Sequence, residues 1–461
     1  MQKIIIQNFA AIKFAEIEIK KLLVIIGEQS SGKSTIAKLI SFFKELRELL
    51  FDNITNGESA DFDIVTDLIV AIRAKFYDYF GSTNYLLDFE IIYYYDVAQN
   101  KFLTLTLNNK NKLHPTFSPE FNLINLARGV FNNYKQSFFD LKNQELGNSM
   151  SQIIEQQELL NKLKIPLLQI LDNFFDNKHN DALYVVAGRN VTVSYSKIFE
   201  NFLLSNFEKN ISFQNKTQTI DETLMLKFIK KIDSIKSFFK KFGSFQEINS
   251  YFTTATNNQK LNTLILQIEK ILKGKYSFDD FGEKITGLLG NSYVFLSNAS
   301  SGQQEAIRIL QDIFLSTLNK DKVFRVVEEP EAHLFPVAQK LLIESLLFLA
   351  NENEYNQLII TTHSPYVLTV LNNSIFGQRI IDKNPASKEA VETIIKQDFL
   401  IKSQDVAVYS LATAENGSIA SSIINPDTGL INQNYLDTVS EELGQNFNQL
   451  LSIHSRSFKR I

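Results

Sequence analysis

Cysteine is absent from the sequence. That excludes disulfides, thiolate metal sites and cysteine nucleophiles, and it fits a reducing cytoplasm as the expected compartment. No run of 18 or more apolar residues occurs, so neither a membrane span nor a membrane partner is expected. Met1 to Phe9 alternates like a strand and shows no charged region ahead of an apolar one, so no signal peptide is visible. An excess of charge of one sign is missing too: 47 basic residues stand against 51 acidic, a net charge of −4. Such a balance argues against strong nucleic-acid binding by the whole surface and leaves local basic patches for it. Apolar material is abundant, with 44% hydrophobic and 12% aromatic residues, ample for a core. The length of 461 residues suggests about three domain-sized units.

Against that background one stretch stands out: Gly27-Glu28-Gln29-Ser30-Ser31-Gly32-Lys33-Ser34-Thr35, preceded by the apolar run Leu22 to Ile26. The run reads as a buried strand, and the spacing of Ile36, Leu39, Ile40, Phe43, Leu46 and Leu50 reads as a helix. Strand, loop and helix together make the G-x-x-x-x-G-K-[ST] phosphate-loop pattern. Glycines let backbone amides wrap an anion, and the helix N-terminus adds unpaired N–H groups. The pattern directs Lys33 to the β- and γ-phosphates and the Ser34 hydroxyl to Mg²⁺.

Around this stretch, Lys3 to Phe9 and Phe14 to Ile19 read as strands ahead of the loop. Asp61 to Phe80 reads as a helix, and Tyr85 to Val97 with Phe102 to Leu107 as a hairpin joined at Ala98 to Lys101. His114-Pro115 and Ser118-Pro119 read as a break. Residues 122 to 178 are mostly helical in pattern, and Leu183 to Ala187 reads as a return strand ending at Gly188-Arg189-Asn190. A second helical block follows, with Leu224, Phe228, Ile232, Ile235, Phe239 and Phe242 on one face. Lys227, Lys230, Lys231, Lys236, Lys240 and Lys241 occupy the rest. Those lysines suit either phosphate backbones or a plain solvated helix face. Gly274, Gly282, Gly287 and Gly290 read as loops leading to a strand at Tyr293 to Leu296. The tail carries strand patterns at Asp405 to Leu411 and Ser418 to Ile424, then a helix from Leu436 to Leu451.

Three later segments bear on chemistry. Ala299-Ser300-Ser301-Gly302-Gln303-Gln304 opens directly into a helix and reads as a second anion-binding helix N-terminus, or taken alone as an ordinary N-cap. Val323 to Val327 is a strand running into Glu328-Glu329-Pro330-Glu331, where one carboxylate can hold Mg²⁺ through water and the other polarise an attacking water. Leu358 to Thr362 is a strand ending at His363, placed to hydrogen-bond a γ-phosphate or that water. With the helix Val337 to Ala350 between them, the two strands form a βαβ unit with a parallel sheet.

Taken jointly, Gly27 to Thr35, Ser300 to Gln304, Glu328 to Leu334 and Thr362 to Pro365 resemble the Walker A, signature, Walker B with D-loop, and switch-histidine motifs of ABC-type ATPases of the RecF, SMC and OLD branch. The resemblance implies an α/β fold: an ABC-type P-loop NTPase head with a mixed β-sheet and a large, mainly helical insertion. The head would comprise residues 1–112 and 286–461, and the insertion residues 113–285. It further implies ATP and Mg²⁺ as cofactors, bound in a head-to-tail homo-oligomer of at least two copies. Gly27, Ser30, Ser31, Gly32, Lys33, Ser34 and Thr35 of one copy and Ser300, Ser301, Gly302 and Gln303 of another would clasp the nucleotide. Ser34 and Glu328 would hold the metal, Glu329 would be the catalytic base, and Lys33 and His363 would complete the catalytic set. Glu328 replaces the usual Asp, and Ser301 stands where the signature often has Gly. Tyr184 to Arg189 resembles the P-A-x-R segment of OLD-type ATPases with Val186 in place of the Pro, and Arg189 is open to a nucleotide contact or a plain salt bridge.

Ser300 lies 268 positions after Gly32, a long insertion of the SMC and OLD kind. The insertion lacks sustained heptads, which excludes a full-length coiled-coil arm. Only 98 residues follow His363, without the carboxylate cluster of a Toprim nuclease. The expectation is a stand-alone OLD-like ATPase similar to those of the Septu and PARIS anti-phage systems, controlling a separate nuclease or toxin. The alternatives are a RecF-like ATPase that clamps DNA and a nucleotide-gated scaffold with negligible turnover.

Overall fold

The computed structural model describes residues 1–56, 64–83, 88–119, 150–194, 220–252, 255–288, 290, 292–415, 417–432 and 435–457, with isolated positions between 129 and 140. Expectations for 61–63, 85–87 and most of 122–149 lie outside the described residues.

Its frame is one sheet of eleven described strands, in the order β6-β5-β4-β1-β2-β14-β13-β3-β12-β11-β7. The strands are β1 Gln2–Phe9, β2 Ile12–Ile19, β3 Leu22–Gly27, β4 Glu90–Asp96, β5 Lys101–Leu107, β6 Leu113–Phe117, β7 Asp181–Val185, β11 Val323–Glu328, β12 Gln357–Thr362, β13 Val406–Ala414 and β14 Gly417–Ser422. A smaller sheet joins β8 Gly274–Asp279, β9 Gly282–Gly287 and β10 Tyr293–Phe295. The main helices are α1 Lys33–Asn56, α2 Ile64–Phe80, α3 Met150–Phe175, α4 Ile220–Phe242, α5 Ser301–Asn319, α6 Pro336–Glu352, α7 Pro365–Lys383 and α8 Tyr435–Ser457.

The large sheet has two characters. From β6 to β2 every pairing is antiparallel, and β1 alternates buried and half-buried residues. β13, β3, β12, β11 and β7 run parallel. β3, β11 and β12 are buried at every residue, as strands covered on both faces must be. Ile36, Leu39, Ile40, Phe43, Leu46 and Leu50 of α1 all lie in this core. β14 pairs with β2 on one side and β13 on the other, so the tail joins the two halves.

Two expectations are corrected. His114 and Pro115 do not break the chain but sit in β6, where an edge position leaves one side of the strand without a ladder for proline to interrupt. Gly274, Gly282 and Gly287 lie in β8 and β9 rather than in loops, and a side chain at Gly274 would meet the Thr286 carbonyl oxygen at 2.7 Å. Glycine there marks close approach of two backbones.

Candidate functional site

Parallel pairing brings the chemistry to one sheet edge. Ile26 of β3 pairs with Thr362 of β12, and Thr361 pairs with Glu328 of β11. The phosphate loop, His363 and the acid pair therefore leave three adjacent strands at one level, at the carboxyl ends where α/β sheets bind ligands.

The loop is shaped for an anion. Ser30 (φ 62°) and Gly32 (φ 101°) are left-handed, which turns successive amides inward. Gly27 and Gly32 also admit close packing: a Cβ at Gly27 would lie 2.7 Å from the Leu411 carbonyl oxygen, and one at Gly32 2.8 Å from Ile12. Lys33 Nζ donates to the carbonyls of Gly27 at 3.0 Å and Glu28 at 2.6 Å, and the buried Ser31 hydroxyl has no partner among the described residues. Burial pushes the Lys33 ammonium below its ordinary pKa, and Glu329, Glu331 and Glu328 pull it back. An ammonium folded onto its own loop and an orphaned hydroxyl are groups that phosphate oxygens would satisfy. Ser34 and Thr35 open α1, with Ser34 exposed.

The acids differ in setting. Glu328 is buried and accepts hydrogen bonds from the Tyr184 hydroxyl at 2.7 Å and the Ala187 amide at 3.2 Å, one on each carboxylate oxygen. Burial and then Glu328 raise the Tyr184 hydroxyl well above its ordinary pKa, so it remains a donor. Beyond these two, no donor to the Glu328 carboxylate occurs among the described residues, which leaves two of its lone-pair positions unused. Glu329 has φ 40° and donates its amide to Thr361 at 2.8 Å, while its carboxylate lies 3.3 Å from His363 Nε2. Glu331 accepts from the Thr362 hydroxyl at 2.6 Å and the His363 amide at 2.9 Å, which fixes the end of β12. Among the described residues no cluster of three or more acids or histidines could hold a metal unaided. Mg²⁺ needs none, since it keeps waters and takes one or two protein ligands plus phosphates.

Arg189 is a clamp. Fully buried, it donates to the carbonyls of Val186, Glu305, Glu328, Glu329 and Pro330 at 2.9 to 3.3 Å and lies 3.2 Å from the Glu305 carboxylate. The salt-bridge reading therefore holds, and the guanidinium ties β7, α5 and the turn after β11 together.

Ser300 caps α5. Its hydroxyl accepts from the Gln303 amide while the Gln303 side chain accepts from the Ser300 amide, a capping box. Gly302 is needed for the chain's own packing, because a Cβ there would sit 2.7 Å from the His333 carbonyl oxygen. The first-turn amides of Ser301 and Gly302 have no intrahelical partner and remain available to an anion. Among the described residues no hydrogen bond or ion pair joins Ser300 to Gln303 with Gly27 to Thr35.

Of the α4 lysines, Lys227 pairs with Glu45 at 2.6 Å and Lys231 with Asp181 at 2.8 Å. Both face the head's own carboxylates. Sequence reasoning did not single out Tyr184 as the partner of Glu328, nor Glu305 and Asp312. The last two left a signal, since each is an acid amid the apolar residues of α5.

Fold and site together define a phosphate-loop nucleotide-binding protein with acids and a histidine at neighbouring strand ends. A family model described as AAA ATPase domain matches residues 1–368, from the first strand to just past His363, and the chain belongs to that family. No curated protein matches. Among solved structures, the SMC head domain from Thermotoga maritima is similar, with 10% identity and a TM-score of 0.36, over 91% of this chain and 98% of that one. No described helix is long and apolar enough to cross a membrane.

Proposed function

We propose that the chain hydrolyses ATP at a site shared by two copies, as the OLD-like, oligomeric ATPase subunit of a prokaryotic anti-phage system whose effector is a separate nuclease or toxin. One observation carries the hydrolysis: Lys33, Glu328, Glu329 and His363 come together at the ends of three adjacent parallel strands. Lys33 leaves the Gly27 and Glu28 carbonyls for the β- and γ-phosphates. Glu329 takes a proton from water as the water oxygen attacks the γ-phosphorus and the bond to the bridging oxygen breaks, giving ADP and phosphate. His363 holds Glu329 in place through Nε2. Ser34 and, through water, Glu328 would hold Mg²⁺, which would supply charge neutralisation at the phosphates.

The shared site is supported by the lack, among the described residues, of any hydrogen bond or ion pair between the Ser300 to Gln303 turn and the chain's own phosphate loop. Mixing Lys33→Ala copies with Ser300→Arg copies should restore one working interface, and no return of activity would sink the shared site. Glu329→Gln should retain ATP while releasing no phosphate, and phosphate release at the wild-type rate would remove Glu329 as base. The defence role predicts that Lys33→Ala abolishes protection in phage plating and that a neighbouring nuclease or toxin co-purifies with the chain. The DNA-clamp reading gains only if ATP-dependent, salt-sensitive DNA binding is lost on neutralising Lys230, Lys231, Lys240 and Lys241.

A further inference from the structure

Glu329 and His363 meet at 3.3 Å, yet they stand on turns that leave different strands, and both side chains are partly exposed. Strand pairing carries the two turns only so far. The β11–β12 register ends at Glu328 with Thr361, and the Glu329 amide then donates to the Thr361 carbonyl at 2.8 Å. Past that level side chains hold the turns together.

They do so in a closed ring of hydrogen bonds. The Thr362 hydroxyl donates to Glu331 Oε1 at 2.6 Å, and the Ser364 amide donates to the Thr362 hydroxyl at 2.9 Å. The Ser364 hydroxyl donates to Gln339 Oε1 at 2.8 Å, and Gln339 Nε2 donates to the Leu334 carbonyl at 2.9 Å. The Leu334 amide donates to the Glu331 carbonyl at 3.0 Å and closes the ring. Glu331 and Leu334 belong to the turn after β11, while Thr362 and Ser364 flank His363 on the turn after β12. Gln339 lies on neither turn, in the first turn of α6, and gives one end of its amide to each. Its orientation is fixed by chemistry, because the Leu334 carbonyl can only accept and so must face the amide's N–H.

A forgone helix cap sets the Gln339 bond apart. Ser364 is the N-cap of α7, a position where a serine hydroxyl ordinarily accepts from a first-turn amide. It makes no such bond here and donates to Gln339 instead. A local rule set aside for a contact 25 positions away is expected where function constrains the fold.

We infer that Gln339 is a positioning residue for hydrolysis: by locking the His363 turn to the Glu329 turn it holds the imidazole on the catalytic carboxylate, although its own side-chain bonds go to Leu334 and Ser364. The inference rests on the hydrolysis proposed above and adds to it a residue outside every phosphate-binding pattern in the sequence.

The test compares Gln339→Met, Ser364→Ala and the double variant in the full chain. Methionine keeps the length and helix propensity of glutamine and removes both bonds. Turnover should fall about 10-fold or more in Gln339→Met, because a catalytic pair displaced by a fraction of an ångström loses rate, while ATP affinity stays within about twofold. Ser364→Ala should match it, and the double variant should be no slower than the slower single one, since both changes break one lock. The amides of His363 and Ser364, which donate to Glu331 and Thr362, should exchange hydrogen faster in Gln339→Met. Wild-type turnover in Gln339→Met, ATP affinity falling in step with turnover, or losses that multiply in the double variant would overturn the inference. So would unchanged exchange at His363 and Ser364, a result that does not depend on hydrolysis. Glu329→Gln separates the two claims: wild-type hydrolysis there removes the proposed function, whereas hydrolysis lost there but untouched by Gln339→Met removes the lock alone.

Discussion

Arg189→Met offers a test of how the site is held. The substitution keeps much of the volume and removes a guanidinium whose charge meets buried Glu305 and whose N–H groups hold the carbonyls of Glu328, Glu329 and Pro330. Breaking one half of a buried ion pair costs about 3–5 kcal/mol, a large share of the roughly 5–15 kcal/mol that keeps a domain folded. The lost stability should appear in urea unfolding as a lower midpoint with an unchanged slope. A second consequence is local. Glu329 and His333 are non-glycine residues at φ 40° and 60°, conformations that cost of order 1 kcal/mol each and persist only where the surroundings enforce them. Without the clamp the turn relaxes, so hydrolysis should fall further than ATP affinity. Adding Glu305→Leu removes the stranded carboxylate and should recover most of the stability, because a buried pair exchanged for apolar groups is often neutral. It cannot rebuild the turn, so hydrolysis should stay low. A loss below about 1 kcal/mol in the single variant, or hydrolysis returning in the double, would refute the clamp.

Three further outcomes are expected. Lys44 Nζ is buried, without a hydrogen-bond partner among the described residues, 5.3 Å from the Phe324 ring, and burial lowers its pKa to about 7. Between pH 7 and the ordinary value of 10.5 the unfolded chain binds the extra proton, so stability contributed here rises with pH, by up to about 1.4 kcal/mol per unit. Lys44→Met should be more stable than wild type at pH 7.5 and lose that slope in urea titrations at pH 7.5 and 9.5, and parallel profiles would refute the assignment. Tyr184→Phe removes one of the two hydrogen bonds on Glu328 and should raise the Mg²⁺ concentration needed for ATP binding roughly 10-fold, read by calorimetry, with metal-free nucleotide binding unchanged. Arg325 pairs with Asp312 at 2.7 Å and Asp181 at 2.5 Å behind the acid pair, so Arg325→Met should cost about 3–5 kcal/mol in thermal or urea unfolding.

Local patterns decided a good deal of this protein by themselves. The phosphate loop, the strand before it and the stripe of α1 follow from glycine spacing and apolar periodicity, which act within a few residues, and the structure carries them as read. The acid pair and His363 were visible as polar residues ending apolar strands, and the βαβ unit between them followed from element lengths. Where reasoning failed it failed on distance or on glycine and proline. Pro115 and Gly274 read as breaks because their tolerance depends on which strand lies alongside, and that is a property of the sheet.

The tertiary structure alone decided the rest. Nothing local says that β14 and β13 of the tail would close the sheet between β2 and β3, or that Tyr184 would reach Glu328 across 144 positions. Arg189 had two readings in the sequence, and burial against five carbonyls and Glu305 left one. Periodicity and turn chemistry are local, whereas strand order, the satisfaction of buried charge and the close approach of backbones depend on partners brought together only by folding.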